Sequence, residues 1–301
     1  MMNSPEEPFI SVIIPVYNSS NSLRNCLKAL SQQTYPASKY EVIVVDNASD
    51  EDIKEVVKNF QFVHLVREET VGSYAARNRG IKVALGEFLA FTDADCIPHQ
   101  NWLTTGMDSL SKTEDIGLIA GHLEFTFHEA DRPNALEFYD SVVFLNQRLY
   151  IEKIHFAATA NLFTRKTVME SVGYFNSSLK SSGDVEWGQR VFSAGYRQLY
   201  EPKAIVYHPA RSSFRSIYKK VLRVSGGQAD CNSDREKSWL QFSREMLIML
   251  KPPRSWLLWK MSDPRLTRIT KYQFILLRIM MDWLQVWERT RIKLGGNSVR
   301  G

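Results

Sequence analysis

Cysteine is scarce in this chain of 301 residues. Cys26, Cys96 and Cys231 stand far apart, with neither a C-x-x-C pair nor an even set. That excludes a disulfide framework, disfavours structural zinc and fits a reducing compartment. A G-x-G-x-x-G after the first strand pattern is missing too; Pro15-Val16-Tyr17-Asn18-Ser19-Ser20 fills that loop, which argues against a dehydrogenase. No G-x-x-x-x-G-K-[ST] occurs, so a P-loop phosphotransferase is equally disfavoured. No stretch approaches the ~20 apolar residues needed to span a bilayer, and repeats and low-complexity tracts are absent. The opening Met1-Met2-Asn3-Ser4-Pro5-Glu6-Glu7 is acidic and polar, unlike a secretory signal, so a cytoplasmic protein is expected.

What is present is an alternation of strands and helices. Phe9 to Pro15 is a β-branched run that a proline closes, because Pro15 has no ladder donor, leaving Tyr17 and Asn18 in the loop beyond. Leu23, Leu27 and Leu30 mark a helix, and Glu41 to Val45 a second buried strand before the loop Asp46-Asn47-Ala48-Ser49-Asp50. Ile53, Val56 and Val57 predict another helix, Phe62 to Val66 a third strand, and Val71 to Ile81 a helix leading to a strand at Phe88 to Thr92. Such alternation implies an open, mostly parallel sheet flanked by helices, whose ligands bind beyond the carboxyl ends of the strands. Tyr17, Asn18, Asp46, Asp50, Asp93 and Asp95 all fall at that edge. At 44% apolar residues, the chain can form one large domain or a domain with an appendage.

Asp93 and Asp95 close the fourth strand two residues apart. Two carboxylates at a strand end cost several kcal/mol each to desolvate unless a cation or polar partner satisfies them. Oxygen ligands suit Mg²⁺ or Mn²⁺; a turn with an N-capping Asp is the other reading.

The motifs Val12-Ile13-Ile14-Pro15-Val16-Tyr17-Asn18, Val44-Val45-Asp46-Asn47-Ala48-Ser49-Asp50, Ala76-Arg77-Asn78-Arg79-Gly80 and Thr92-Asp93-Ala94-Asp95 then continue in Ser182-Gly183-Asp184-Val185-Glu186-Trp187 and Ala194-Gly195-Tyr196-Arg197. In this order they resemble a family-2 glycosyltransferase of the GT-A fold over roughly residues 9–210. The resemblance implies a GT-A-like (Rossmann-like) α/β catalytic domain over residues 1–210, with a nucleotide-sugar half at about 1–97 and an acceptor half at about 98–210. Residues 211–301 are then a basic, helical C-terminal extension.

By the same resemblance, Pro15, Tyr17 and Asn18 shape the nucleotide pocket with Asn47, and Asp46 contacts a base edge or forms an Asx turn. Arg77 contacts the diphosphate, or is solvated or salt-bridged. Asp93 lies near ribose or metal, Asp95 is the principal ligand of Mn²⁺ or Mg²⁺, and His208 is a further ligand or a hydrogen-bonded structural group. Asp184 is the expected base for the acceptor hydroxyl, although Gly183 stands where the family usually has Glu. Glu186 competes for that role, projecting about 200° away on a helix. Trp187 stacks on an acceptor sugar or belongs to the core. The implied reaction moves a sugar from a nucleotide-diphosphate donor, UDP by family habit, to a glycan or lipid-linked hydroxyl with inversion. A catalytically inactive scaffold is the rival, against which the retained acids at 93, 95, 184 and 186 speak.

Charge is unevenly placed. Residues 1–202 hold 18 Lys and Arg against 26 Asp and Glu, a net of −8, and residues 203–301 hold 20 against 7, a net of +13. Arg211, Arg215, Lys219, Lys220 and Arg223, before Gly226-Gly227, predict a mobile lid or a solvated basic helix. No nucleic-acid recognition motif accompanies this charge, so nucleic acid is not an expected partner. Trp256-Leu257-Leu258-Trp259 and the helix pattern from Tyr272 to Leu294 suit an anionic membrane surface at the inner face of a membrane, a homodimer contact or packing on the catalytic domain.

Overall fold

The computed structural model describes residues 7–130, 132–232, 234–251 and 261–299. Trp256 to Trp259 lie outside the described residues. The chain runs β1 (Ile10–Val16), α1 (Ser20–Leu30), β2 (Tyr40–Asp46), α2 (Ile53–Val57), β3 (Val63–Arg67) and α3 (Ser73–Val83). It continues with β4 (Phe88–Thr92), β5 (Ile97–Pro98), α4 (Trp102–Leu110), β6 (Ile116–Thr126), α5 (Ala135–Val143) and α6 (Gln147–Leu149). Then follow β7 (Asn161–Arg165), α7 (Lys166–Val172), α8 (Gly183–Ser193), β8 (Arg197–Pro209), α9 (Phe214–Cys231), α10 (Trp239–Met249) and α11 (Arg268–Lys293).

These elements form two compact units. The first comprises Met1–Glu124, Asn146–Ser177 and Gly183–His208, and the second Phe125–Leu145, Ser178–Ser182 and Pro209–Gly301. The second thus also takes in two stretches that the sequence division assigned to the acceptor half.

The first unit holds one eight-stranded sheet in the order β3-β2-β1-β4-β7-β6-β8-β5. β3, β2, β1 and β4 are parallel neighbours, as the alternation requires. Beyond β4 the ladders β4–β7 and β7–β6 are antiparallel, and so is β8–β5. Ile13, Leu89, Phe91, Leu162 and Trp187 are among the buried side chains of one continuous core on this sheet. β1 also runs one residue past Pro15. The Val16 carbonyl accepts from Asn47 N–H on the β2 side. By alternation the Pro15 nitrogen faces β4, where the ladder ends at Ile13, so no donor is missed.

Buried Asn161 fixes the antiparallel half. It accepts from Trp102 Nε1 at 2.8 Å and donates to the carbonyls of His122 and Ala204 at 2.8 and 2.9 Å, tying β6 and β8 to β7.

In the second unit, α5, α9 and α11 share a core of Phe138, Tyr139, Ile217, Val221, Phe274 and Met281. α5 starts with a capping box in which Asn134 and Glu137 satisfy each other's backbone N–H groups. Lys220 is buried, 2.8 Å from Asp140, so it is not part of a solvated basic face. Gly226 and Gly227 lie inside α9, where a Cβ would approach Ser298 to 3.0 Å and Ser181 to 2.6 Å, so they let these two non-helical segments come close to the helix.

Candidate active site

At the carboxyl end of β4 the chain makes a tight turn, with Cys96 N–H donating to the Asp93 carbonyl at 3.1 Å. β5 then pairs antiparallel with β8, Ile97 opposite Tyr207 and Pro98 opposite Val206. One step back along that register brings Cys96 across from His208. Asp95, Cys96 and His208 accordingly present ligand atoms all within 4.8 Å of one another. Burial first, then the charges of Asp93 and Asp95, push the Cys96 thiol well up, so it enters this group protonated. A carboxylate oxygen and an imidazole nitrogen remain as the strong donors, and that pair fits a divalent cation of the Mn²⁺ kind better than a thiolate-loving one.

Asp93 is not in that group. Its Oδ1 takes a salt bridge from Arg77 Nη2 at 2.5 Å. Arg77 is 4% exposed, and its Nη1 also donates to the Ser73 carbonyl. Arg77 is thus salt-bridged, one of the readings its place on a helix allowed, and buried on α3. The Asp93 carboxylate faces this cation with its side chain 34% exposed and lies outside the Asp95–Cys96–His208 group.

Asp184 opens α8 and accepts from the Tyr74 hydroxyl at 3.1 Å and from Val185 N–H at 3.0 Å. Burial raises its carboxyl above the ordinary Asp value, while the Arg77 charge and the Tyr74 hydrogen bond pull the other way. A desolvated carboxylate with such a pKa is suited to proton abstraction. Gly183 has its explanation in the same contact: a Cβ there would meet the Tyr74 ring at 2.7 Å. Glu186 is held differently. Arg190 clamps both of its oxygens, Nε at 2.7 Å and Nη2 at 3.1 Å, and also donates to the carbonyls of Val172, Gly173 and Tyr174. The bidentate pair holds Glu186 in a salt bridge on α8, whereas Asp184 accepts only from a hydroxyl and a backbone N–H.

Trp187 takes the core reading and not the acceptor-stacking one. It is fully buried, donates from Nε1 to the Gly173 carbonyl at 3.0 Å and packs against Phe175, so it has no face to offer a sugar.

The loops after β1 and β2 interlock. Asn18 adopts φ +45° and accepts from the N–H groups of Asp50 and Glu51 at 2.8 and 3.4 Å. Asp46 accepts from Ser49 N–H, three residues on, at 3.0 Å and pairs with Arg67 at 2.6 Å, which leaves the residue only 7% exposed. Buried Asn47 accepts from Gly72 N–H and donates to the carbonyls of Glu68 and Thr70. With both amide donors used inside the protein, its side chain holds the loops together. Pro15 is half-buried in β1, and Tyr17 is 58% exposed with its ring open to stacking.

Three comparisons bear on this geometry. The model of the family "Glycosyl transferase family 2" matches residues 11–173. Glycosyltransferase AglE of Haloferax volcanii is 45% identical over 226 residues, 73% of each chain. The chain belongs to glycosyl transferase family 2.

Other relatives of this glycosyltransferase include the pre-mycofactocin glycosyltransferase of Mycobacterium tuberculosis, 28% identical over 237 residues, 75% of this chain and 48% of that one. Among solved structures, the mannosyltransferase PcManGT from Pyrobaculum calidifontis, in complex with GDP-Man and Mn²⁺, aligns with a TM-score of 0.66 at 17% identity. It covers 97% of this chain and 88% of its own. Staphylococcus aureus TarS (residues 1–349), in complex with UDP, gives 0.54 at 19% identity, covering 96% and 92%. Both likenesses establish the GT-A-like fold of the transferase.

Sequence reasoning missed Tyr74, Cys96 and Arg67. Tyr74 had a signal: it lies three residues before Arg77, hence on the same helix face, and glycine at 183 leaves space that some other side chain must fill. Arg67 had none, since only sheet pairing of β3 with β2 sets it beside Asp46.

Proposed function

We propose that this glycosyltransferase moves a sugar from a nucleotide diphosphate, UDP-linked, to a hydroxyl of a glycan or lipid-linked acceptor, with inversion at the anomeric carbon. The observation that carries the reading is the convergence of Asp95 and His208 across the β5–β8 register. These two residues would hold the cation, Mn²⁺ in preference to Mg²⁺ because one donor is an imidazole. When bound, the cation supplies Lewis-acid stabilisation of the leaving diphosphate.

The protein's own residues do the rest. Tyr17 stacks on the base from its exposed ring, while Asn18, Asp46 and Asn47 keep the two flanking loops in place. Asp184 takes the proton of the acceptor hydroxyl, and Tyr74 orients it. Arg77 neutralises Asp93 and biases Asp184 toward its ionised form. Residues 1–97 then serve the donor, and residues 98–210 the acceptor.

Thermal-shift titration with UDP, GDP and UDP-sugars, each with and without Mn²⁺, tests the reading. Stabilisation should grow with the logarithm of ligand concentration over Kd and require the metal. A protein that no nucleoside diphosphate stabilises, with or without Mn²⁺, would refute it.

A further inference from the structure

Helix α11 is apolar on two opposite sides. One side carries Phe274, Leu277, Met281 and Ile292 and is buried in the second unit. The other carries Tyr272, Leu276, Ile279, Met280, Trp283 and Trp287, all exposed. At 3.6 residues per turn these six lie within an arc of about 100°. Tyr272, Trp283 and Trp287 are 64%, 60% and 54% exposed, far from the usual state of large aromatic side chains.

In the same unit, α10 repeats the pattern on a smaller scale. Leu240 is 84% exposed, and Leu247 and Ile248 follow on the same side with Arg244 among them. Among the described residues no helix is long and apolar enough to cross a membrane. Exposed aromatic and aliphatic groups on helices of this kind suit the boundary between headgroups and acyl chains.

Charge decides what covers these faces. Each acid of the two helices is turned to a base within the unit. Asp282 pairs with Arg278 and Glu288 with Arg291, both acids buried, and Glu245 pairs with Lys237 and Arg289. The exposed arc of α11 therefore carries no acid, in a segment of net charge +13 over residues 203–301. A second copy would bring an equal positive charge to the same seam, whereas an anionic lipid surface complements it.

We propose that the exposed faces of α10 and α11 dock on an anionic membrane surface, lying in the interface without crossing it. The proposal does not rest on the donor or the metal.

Co-sedimentation of the full chain with vesicles of phosphatidylcholine, alone or mixed with phosphatidylglycerol, tests it. Binding should require the anionic lipid, weaken with salt and be accompanied by a blue shift of tryptophan fluorescence. Trp283→Ser with Trp287→Ser should lower partitioning about tenfold or more, from the loss of two buried aromatic side chains. Its circular dichroism melt should match that of the wild type, because both positions are exposed. Arg244→Glu should weaken binding to the anionic vesicles alone. Three results would overturn the proposal: protein left in the supernatant at low salt, equal binding to neutral vesicles, or a lipid-free dimer that the double tryptophan variant dissociates.

Discussion

Tyr74 fills the space beside Asp184 in which a Glu at position 183 would stand, and it gives Asp184 a hydrogen bond. Removing that bond has a sign that can be worked out. Burial already raises the Asp184 carboxyl, and Tyr74 and Arg77 oppose the rise. Tyr74→Phe deletes one opposing influence, so the pKa climbs further and a larger fraction of the base is protonated on the acid side. The acid limb of the pH–rate profile for kcat should then move to higher pH, with the alkaline plateau retained. Asp184→Asn, which removes the base, should lower kcat by about 10²–10⁴ on the alkaline plateau and abolish the acid limb. Glu186→Gln should leave kcat near the wild-type value and cost under about 1 kcal/mol of stability, since its bridge to Arg190 is partly solvated. If Glu186→Gln abolishes turnover while Asp184→Asn does not, the two roles have been exchanged. At the metal group, His208→Ala should weaken Mn²⁺ affinity by at least about tenfold in a calorimetric titration.

Elements are where buried charge matters most. Burial would raise Asp140, yet the charges of Lys220 and Arg211 outweigh it and hold this carboxyl low. Burial, with Arg211 nearby, lowers Lys220 to about 7. A buried pair is a weak source of stability, but breaking one by removing a single partner costs about 3–5 kcal/mol. Asp140→Asn should therefore destabilise the packing of α5 on α9 by about that amount in urea unfolding at pH 6. Asp140 is one of the groups that holds the Lys220 pKa up, so in the variant Lys220 gives up its proton below about 7, its wild-type value. The loss should therefore be largest at low pH, where the variant must bury an ammonium beside Arg211 without its acid, and should shrink as pH rises toward about 7, becoming constant above it. A loss that does not vary with pH would exclude this account.

For the whole molecule, the proposed donor site and the proposed lipid-facing helices belong to different compact units. Hydrogen exchange can report on them separately. UDP with Mn²⁺ should slow exchange in the segments from Tyr17 to Asp50 and from Asp93 to Cys96, whereas anionic vesicles should slow it in α10 and α11. Nucleotide-induced protection confined to α11 would contradict the assignment of the donor site. The parallel half of the sheet was legible because each of its strands and helices declares itself within a few residues. The antiparallel half was not, because β7 enters between β4 and β6 from far along the chain.

By itself, the sequence determined the strand–helix alternation of the first half, the acid corner after β4, the polar loops at one sheet edge and the uneven charge of the two ends. Those depend on near neighbours, whose spacing and chemistry are visible in a linear string. Only the tertiary structure decided partners. It turned Arg77 to Asp93, sank Trp187 into the core and set Tyr74 against Asp184 across 110 positions. It also carried His208 to Asp95 through the pairing of two strands that no local pattern links. The reason is physical: a side chain's partner is set by which distant segments pack together, and packing is a property of the whole chain.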